Sequence, residues 1–217
     1  MENDVKEFLS ELLKQLKSID YIKPEDIPNI DLYMDQVTTF MDEQLAASKR
    51  YESDKILTKT MINNYAKNNL LPSPDKKKYS KEHVLTLLFI YYFKNILSIN
   101  DIRSILNPLT EKYFGNDDGF TMQDVYTEVF SLEAEESQKL LKDLGKKYKI
   151  AGETFENFPD EDQKFLHTFS FICMLSFDVY IKKMLIERMI DNLNEEKKAS
   201  SHENTHSGKE SKKTGSN

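Results

Sequence analysis

The sequence predicts an all-α protein, and three observations carry that expectation. Apolar residues recur at steps of three and four through most of the chain, almost no segment alternates apolar and polar residues as a half-buried strand does, and Ser, Thr and Asp stand where helices need caps. With 217 residues, 39% apolar and 31% charged, the chain is long enough for one domain, or two small ones, with a buried core. A single cysteine, Cys173, excludes an internal disulfide and lies in an apolar run, as expected of a reduced cytoplasmic protein. The acidic start Met1-Glu2-Asn3-Asp4 is unlike a signal peptide, and the longest uncharged apolar stretch, Phe165 to Phe177, has 13 residues where a bilayer span needs about 20. No membrane partner is expected.

The elements follow in order. Val5, Phe8, Leu9, Leu12, Leu13 and Leu16 stand at helical spacing, which predicts an N-terminal amphipathic helix within residues 1–26. Pro24 and Pro28 break the pattern until Asp31 can cap a helix from about Leu32 to Ser48, with Met34, Val37, Met41 and Leu45 inward. Thr58 is placed to cap the next, Lys59 to about Asn68, which Leu70-Leu71-Pro72-Ser73-Pro74 ends. One small hairpin near Pro72 to Tyr79 is the only strand structure expected. Ser80 then caps a helix carrying the apolar block Val84 to Phe93. Ser98 with Asp101 forms a capping box for a short helix through Leu106, closed by Asn107-Pro108. A second box, Thr121 with Asp124, follows the turn Gly115-Asn116-Asp117-Asp118-Gly119 and opens a helix toward Phe130.

Two more helices, about Ala134 to Tyr148 and Asp160 to Leu193, complete a C-terminal helical domain over 121–194. In the last one, Ile172, Leu175, Val179, Ile186, Met189 and Leu193 step by three and four apart from one gap, which suits either the central helix of a bundle or the seam of a homodimer. From Glu195 onward the composition is Ser, Lys, Glu, His, Thr, Gly and Asn with one alanine, which predicts a disordered tail over 195–217.

Charge is distributed unevenly. The whole chain has 30 bases and 37 acids, yet residues 55–81 hold seven bases and one acid. A basic island in an acidic chain calls for a local, anionic partner. Within it, Ile62, Tyr65 and Ala66 make one face of the helix from Lys59, and Thr60, Asn63, Asn64 and Lys67 make the other, at i, i+3, i+4 and i+7. Asparagine can pair bidentately with adenine, threonine can meet bases or phosphates, and lysine neutralises phosphate. Lys76, Lys77, Lys78 and Tyr79 follow in a short loop between prolines and the next helix.

Other motifs are weaker. His202-Glu203-Asn204-Thr205-His206 matches a zinc-protease pattern but sits in the polar tail without a third ligand. Aligning Gly119 with the glycine of a calcium loop puts Phe114 and Val125 at ligand positions. His83 and His167 are far apart, and no P-loop or dinucleotide-binding glycine pattern occurs. The expectation is therefore a protein that is not an enzyme and holds no metal or cofactor.

The order of these parts resembles a known family. Thr58-Lys-Thr-Met-Ile-Asn-Asn-Tyr-Ala-Lys-Asn-Asn-Leu-Leu-Pro72 resembles the recognition helix of MerR-type winged-helix regulators. Tyr79-Ser80-Lys81-Glu82-His83-Val84 is similar to the segment after that family's wing, and Leu97 to Leu106 resembles its following short helix. The region from Ile27 to Asn107, including Ile30-Asp-Leu-Tyr-Met-Asp-Gln-Val, also resembles an uncharacterised bacterial domain-of-unknown-function family related to MerR, which places the expected DNA-binding domain at residues 27–110. The resemblance implies a winged helix-turn-helix domain with a small β-hairpin wing, ahead of the helical bundle. It assigns base contacts to Thr60, Asn63 and Asn64, and phosphate contacts to Lys59, Lys67, Lys76, Lys77, Lys78 and Tyr79. The expected function is sequence-specific binding of double-stranded DNA in transcription regulation. The alternative is a helical protein-interaction adaptor that has the winged-helix fold without the DNA contacts.

Overall fold

A computed structural model describes residues 22–116 and 119–210, together with Glu7, Ser10, Glu11 and Lys14; the side chains of 133–135, 137–138 and 200–210 are outside that description. The apolar face expected for the N-terminal helix, Asp117 and Asp118 of the turn, and residues 211–217 all lie outside the described residues. The order of elements is a 3-10 turn Pro24–Asp26, β1 (Leu32–Tyr33), α1 (Met34–Gln44), a 3-10 turn Ala46–Ser48, α2 (Lys59–Lys67), β2 (Lys78–Tyr79), α3 (Lys81–Phe93), α4 (Ile99–Tyr113), α5 (Met122–Ser131), α6 (Glu133–Gly152) and α7 (Asp160–Glu210). The protein is all-α apart from one two-stranded antiparallel sheet.

The core forms around α3. Its sequence is apolar on every side, so no single face can be given to water, and nine of its thirteen residues are buried. Val84, Leu85, Leu87, Leu88 and Ile90 are fully buried, each contributing about 1.5–3 kcal/mol of apolar burial. Thr86, also fully buried, donates its hydroxyl to the Glu82 carbonyl at 2.8 Å and so leaves no polar atom unsatisfied. Around α3 pack Val37 and Met41 of α1, Ile62 and Tyr65 of α2, Ile102 and Leu106 of α4, and Met122 and Tyr126 of α5. Phe89 stacks on Phe130, and Tyr126 donates its buried hydroxyl to the Ile22 carbonyl at 2.9 Å.

Several elements depart from the sequence-based expectation. The helix after Pro28 starts at Met34, not Leu32: Leu32 and Tyr33 pair with Tyr79 and Lys78, and the Gln36 side chain accepts the Tyr33 amide at 2.8 Å in place of an Asp31 cap. Strand β2 thus pairs with the chain before α1, and the local hairpin near Pro72 is reduced to the turn Asp75–Lys78. Asn107-Pro108 does not close α4. Proline removes the amide that would bond the Ser104 carbonyl, and Lys197 of α7 donates to that carbonyl at 2.9 Å, so the helix passes through to Tyr113. Met122 and Tyr126 sit in the same core as α3. Helix α6 runs past Gly145 to Gly152. Helix α7 runs to Glu210, so residues 195–210, expected to be disordered, are helical there; extending an existing helix adds a bond per residue without a new nucleation cost, and Glu, Lys and Ala favour it. No helix among the described residues is long and apolar enough to cross a membrane.

Candidate nucleic-acid interface

The link before α2 is clamped to the core. Lys49 pairs with Asp42 at 2.7 Å, the Ser48 hydroxyl bonds the Tyr91 hydroxyl, and Lys94 donates to the Ile56 carbonyl at 2.7 Å. Burial pushes the Lys94 ammonium below its usual pKa. Ile56 and Leu57 are buried beside these contacts and set where α2 begins.

Both ends of α2 are capped. The Thr58 hydroxyl accepts the Met61 amide at 3.2 Å. At the other end, Leu70 donates to the Tyr65 carbonyl at 2.9 Å and Asn69 to the Ala66 carbonyl at 3.1 Å, a Schellman arrangement with Asn69 left-handed at φ 56°. Buried Leu70 completes it by packing under the helix end. Ile62 and Tyr65 face the core, and burial raises the Tyr65 hydroxyl pKa. Lys59, Thr60, Asn63, Asn64 and Lys67 are all exposed on the opposite side. Among the described residues no hydrogen bond or ion pair holds the side chains of Thr60, Asn63, Asn64 or Lys67. The Asn64 main chain is occupied, since its carbonyl accepts Asn68.

The basic turn is tight. The Lys78 amide donates to the Asp75 carbonyl at 2.8 Å, with Lys76 at φ 46° and Lys77 at φ 67°. Two successive left-handed residues make a type I′ hairpin turn, normally the place of Asn-Gly. Here both positions are lysine, at a cost of roughly 1 kcal/mol each, and both side chains are exposed. Lys78, the next residue, is exposed with its ammonium 5.6 Å from the Tyr33 ring centre.

Tyr79 corrects the expected set. It alternates inward from Lys78 along β2, is 3% exposed, and packs edge-on against His83 with ring centres 5.5 Å apart. Burial raises its hydroxyl pKa. It anchors β2 to the core, so its ring is not on the exposed surface with the lysines.

Two residues that sequence reading did not single out tie the helix and the turn together. Asp35, in the first turn of α1, forms an ion pair with Lys59, and Tyr33, two positions earlier, carries Lys78 over its ring. Lys59 and Lys78 therefore meet the same short segment, although they are far apart in sequence. Both partners in the Asp35–Lys59 pair are mostly exposed, at 72% and 60%, so the pair contributes well under about 1 kcal/mol and yields to a stronger anion. No local sequence signal marks either residue, because the contacts span unrelated stretches of chain.

His83 lies beneath this surface. Its Nδ1 accepts the Ser80 amide at 3.0 Å and sits 2.8 Å from the Ser80 hydroxyl, which closes the α3 cap. The ring is wedged edge-on between Tyr79 and Phe114, with Nε2 buried. Burial lowers its pKa, offset in part by the Ser73 and Pro72 main chain and by Asp31. Among the described residues no group of three or more His, Cys, Asp or Glu is placed to hold a metal, and the side chains of His202 and His206 are outside those described.

No curated protein and no solved structure matches the chain. Residues 22–129, which begin at the carbonyl that Tyr126 grips and end within α5, match the model of the family described as Domain of unknown function (DUF1836).

Proposed function

We propose that this protein binds double-stranded DNA sequence-specifically, as a transcription regulator of the MerR-like winged-helix type. The observation that carries the reading is the α2 face: Thr60, Asn63, Asn64 and Lys67 are exposed together, without competing side-chain partners among the described residues. Nine residues of helix are about 13 Å long, which suits a major groove about 12 Å wide. Asn63 and Asn64 offer a donor and an acceptor each to an adenine edge, and Thr60 reaches a base or a phosphate. Lys59 and Lys67 at the ends of the helix, with Lys76, Lys77 and Lys78 on the turn, neutralise backbone charge on either side. The positive end of the α2 dipole, at Lys59, favours phosphate there, which would displace Asp35 from its pair.

Five phosphate contacts predict that log K falls against log salt with a slope of about -4 to -5. Fluorescence anisotropy with labelled duplex between 50 and 200 mM salt measures it, and Lys77→Ala should soften the slope by about 1. A flat salt response, or no affinity at all, overturns the reading and leaves the protein-interaction adaptor.

A further inference from the structure

Helix α7 carries apolar side chains that its own chain does not cover. Helix α6 packs along its first half, where Phe171 is buried, Tyr148 meets Phe171 edge-on at 5.4 Å and Lys147 bridges to Asp178. Helix α4 holds the second half, where Ile190 is buried and Lys183 and Lys197 donate to the Ile96 and Ser104 carbonyls. Between these contacts Phe165, Ile172, Val179, Ile186 and Leu193 are 70, 54, 62, 36 and 48% exposed. Each stands seven residues after the last, and Phe169 and Met189 flank the row, also exposed.

We infer that this row is the seam of an antiparallel two-stranded coiled coil with a second copy of the chain. A strict seven-residue repeat keeps one narrow stripe facing a neighbouring helix as the two supercoil, whereas a broad groove or a lipid surface calls for a wider stripe at the 3.6 period. Five positions span about 42 Å of helix. The exposed apolar area along it is roughly 700 Å² per copy, so a pair buries about 1,400 Å², within the range of stable interfaces. The row is evenly spaced about Val179 and so presents the same spacing when reversed, as a two-fold interface requires. Charge selects the direction. A parallel pair would set Asp160, Glu161 and Asp162 against their own copies and Lys182 against its own, whereas an antiparallel pair centred on Val179 sets Asp160 opposite Lys198 and opposes the helix dipoles. Lys182 interrupts the second row, between Leu175 and Met189; a polar seam residue lowers affinity and selects one register. The inference is independent of DNA binding.

The full-length chain should sediment at twice 25.4 kDa. Ile172→Glu with Val179→Glu places two charges in the seam and should raise the dimer dissociation constant by about 100-fold or more, with helicity and thermal unfolding kept, because both side chains are mostly exposed on the single chain. Phe177→Glu, on a different exposed face, should leave the dimer intact. Spin labels on Asp160→Cys in a Cys173→Ser background should lie about 57 Å apart, from 1.5 Å of rise per residue on either side of the axis at Val179. A monomer, a dimer that ignores the seam charges, a dimer lost with Phe177→Glu, or labels within about 20 Å would each overturn the proposal.

Discussion

Replacing Lys76 by Asn and Lys77 by Gly should make the protein more stable and, at the same time, a weaker ligand for DNA. Both lysines sit in left-handed backbone, at φ 46° and 67°, where an L side chain costs roughly 1–2 kcal/mol. Asn tolerates that region, and Gly enters it freely but brings back about 0.5–1 kcal/mol of unfolded-state entropy. The net gain is about 1.5 kcal/mol, or a rise in Tm of roughly 3–6 °C for a chain of this size. Neither lysine is ion-paired among the described residues, so no native contact is lost in exchange. Removing two of the five proposed phosphate contacts should lower the salt slope by about 1.8, which is up to about 60-fold in affinity at 0.1 M salt. Calorimetry and anisotropy on the same preparation give both quantities. If stability and affinity fall together, the turn is not strained as described; if affinity is unchanged, the lysines do not touch DNA.

Other consequences concern the support beneath the site. The folded pKa of His83 is lowered by burial, so its contribution to stability is complete above the unfolded value of about 6.5 and is lost as pH falls through that value toward the folded one. Tm should therefore drop between pH 7.5 and 5, and His83→Gln, which keeps a capping-box acceptor at the third helical position, should flatten the profile; an unchanged slope would show that other groups set it. Tyr126→Phe leaves the buried Ile22 carbonyl without its 2.9 Å donor and should cost about 1–3 kcal/mol in a denaturant titration, with a neutral result meaning that water replaces the hydroxyl.

What could be read from the sequence was what is local. Thr58, the Ser98–Asp101 and Thr121–Asp124 boxes, and the two faces of α2 were legible because a cap or a helical face is specified within a few residues. The buried block of α3 was legible from composition alone. The pairing of Leu32 with Tyr79 was not, since two-residue strands carry no period and their partner lies across α1 and α2. Nor was the I′ turn, because Lys-Lys lacks the Gly or Asn that marks one. Tyr79 was assigned to DNA because it adjoins three lysines; strand alternation turns it inward instead. Pro108 looked like a helix end because the donor that replaces its amide comes from α7. The pairing of Asp35 with Lys59 is visible only once α1 and α2 are packed.

The most direct test of the proposed DNA-binding role of α2 is selection of random duplexes by the full-length protein and by Asn63→Ala, sequenced side by side. The account predicts an enriched motif containing adenine, with Asn63→Ala losing preference at one position, at about 1–3 kcal/mol, while the rest of the motif persists. No enrichment with the parent protein, or an identical motif from the variant, would contradict it.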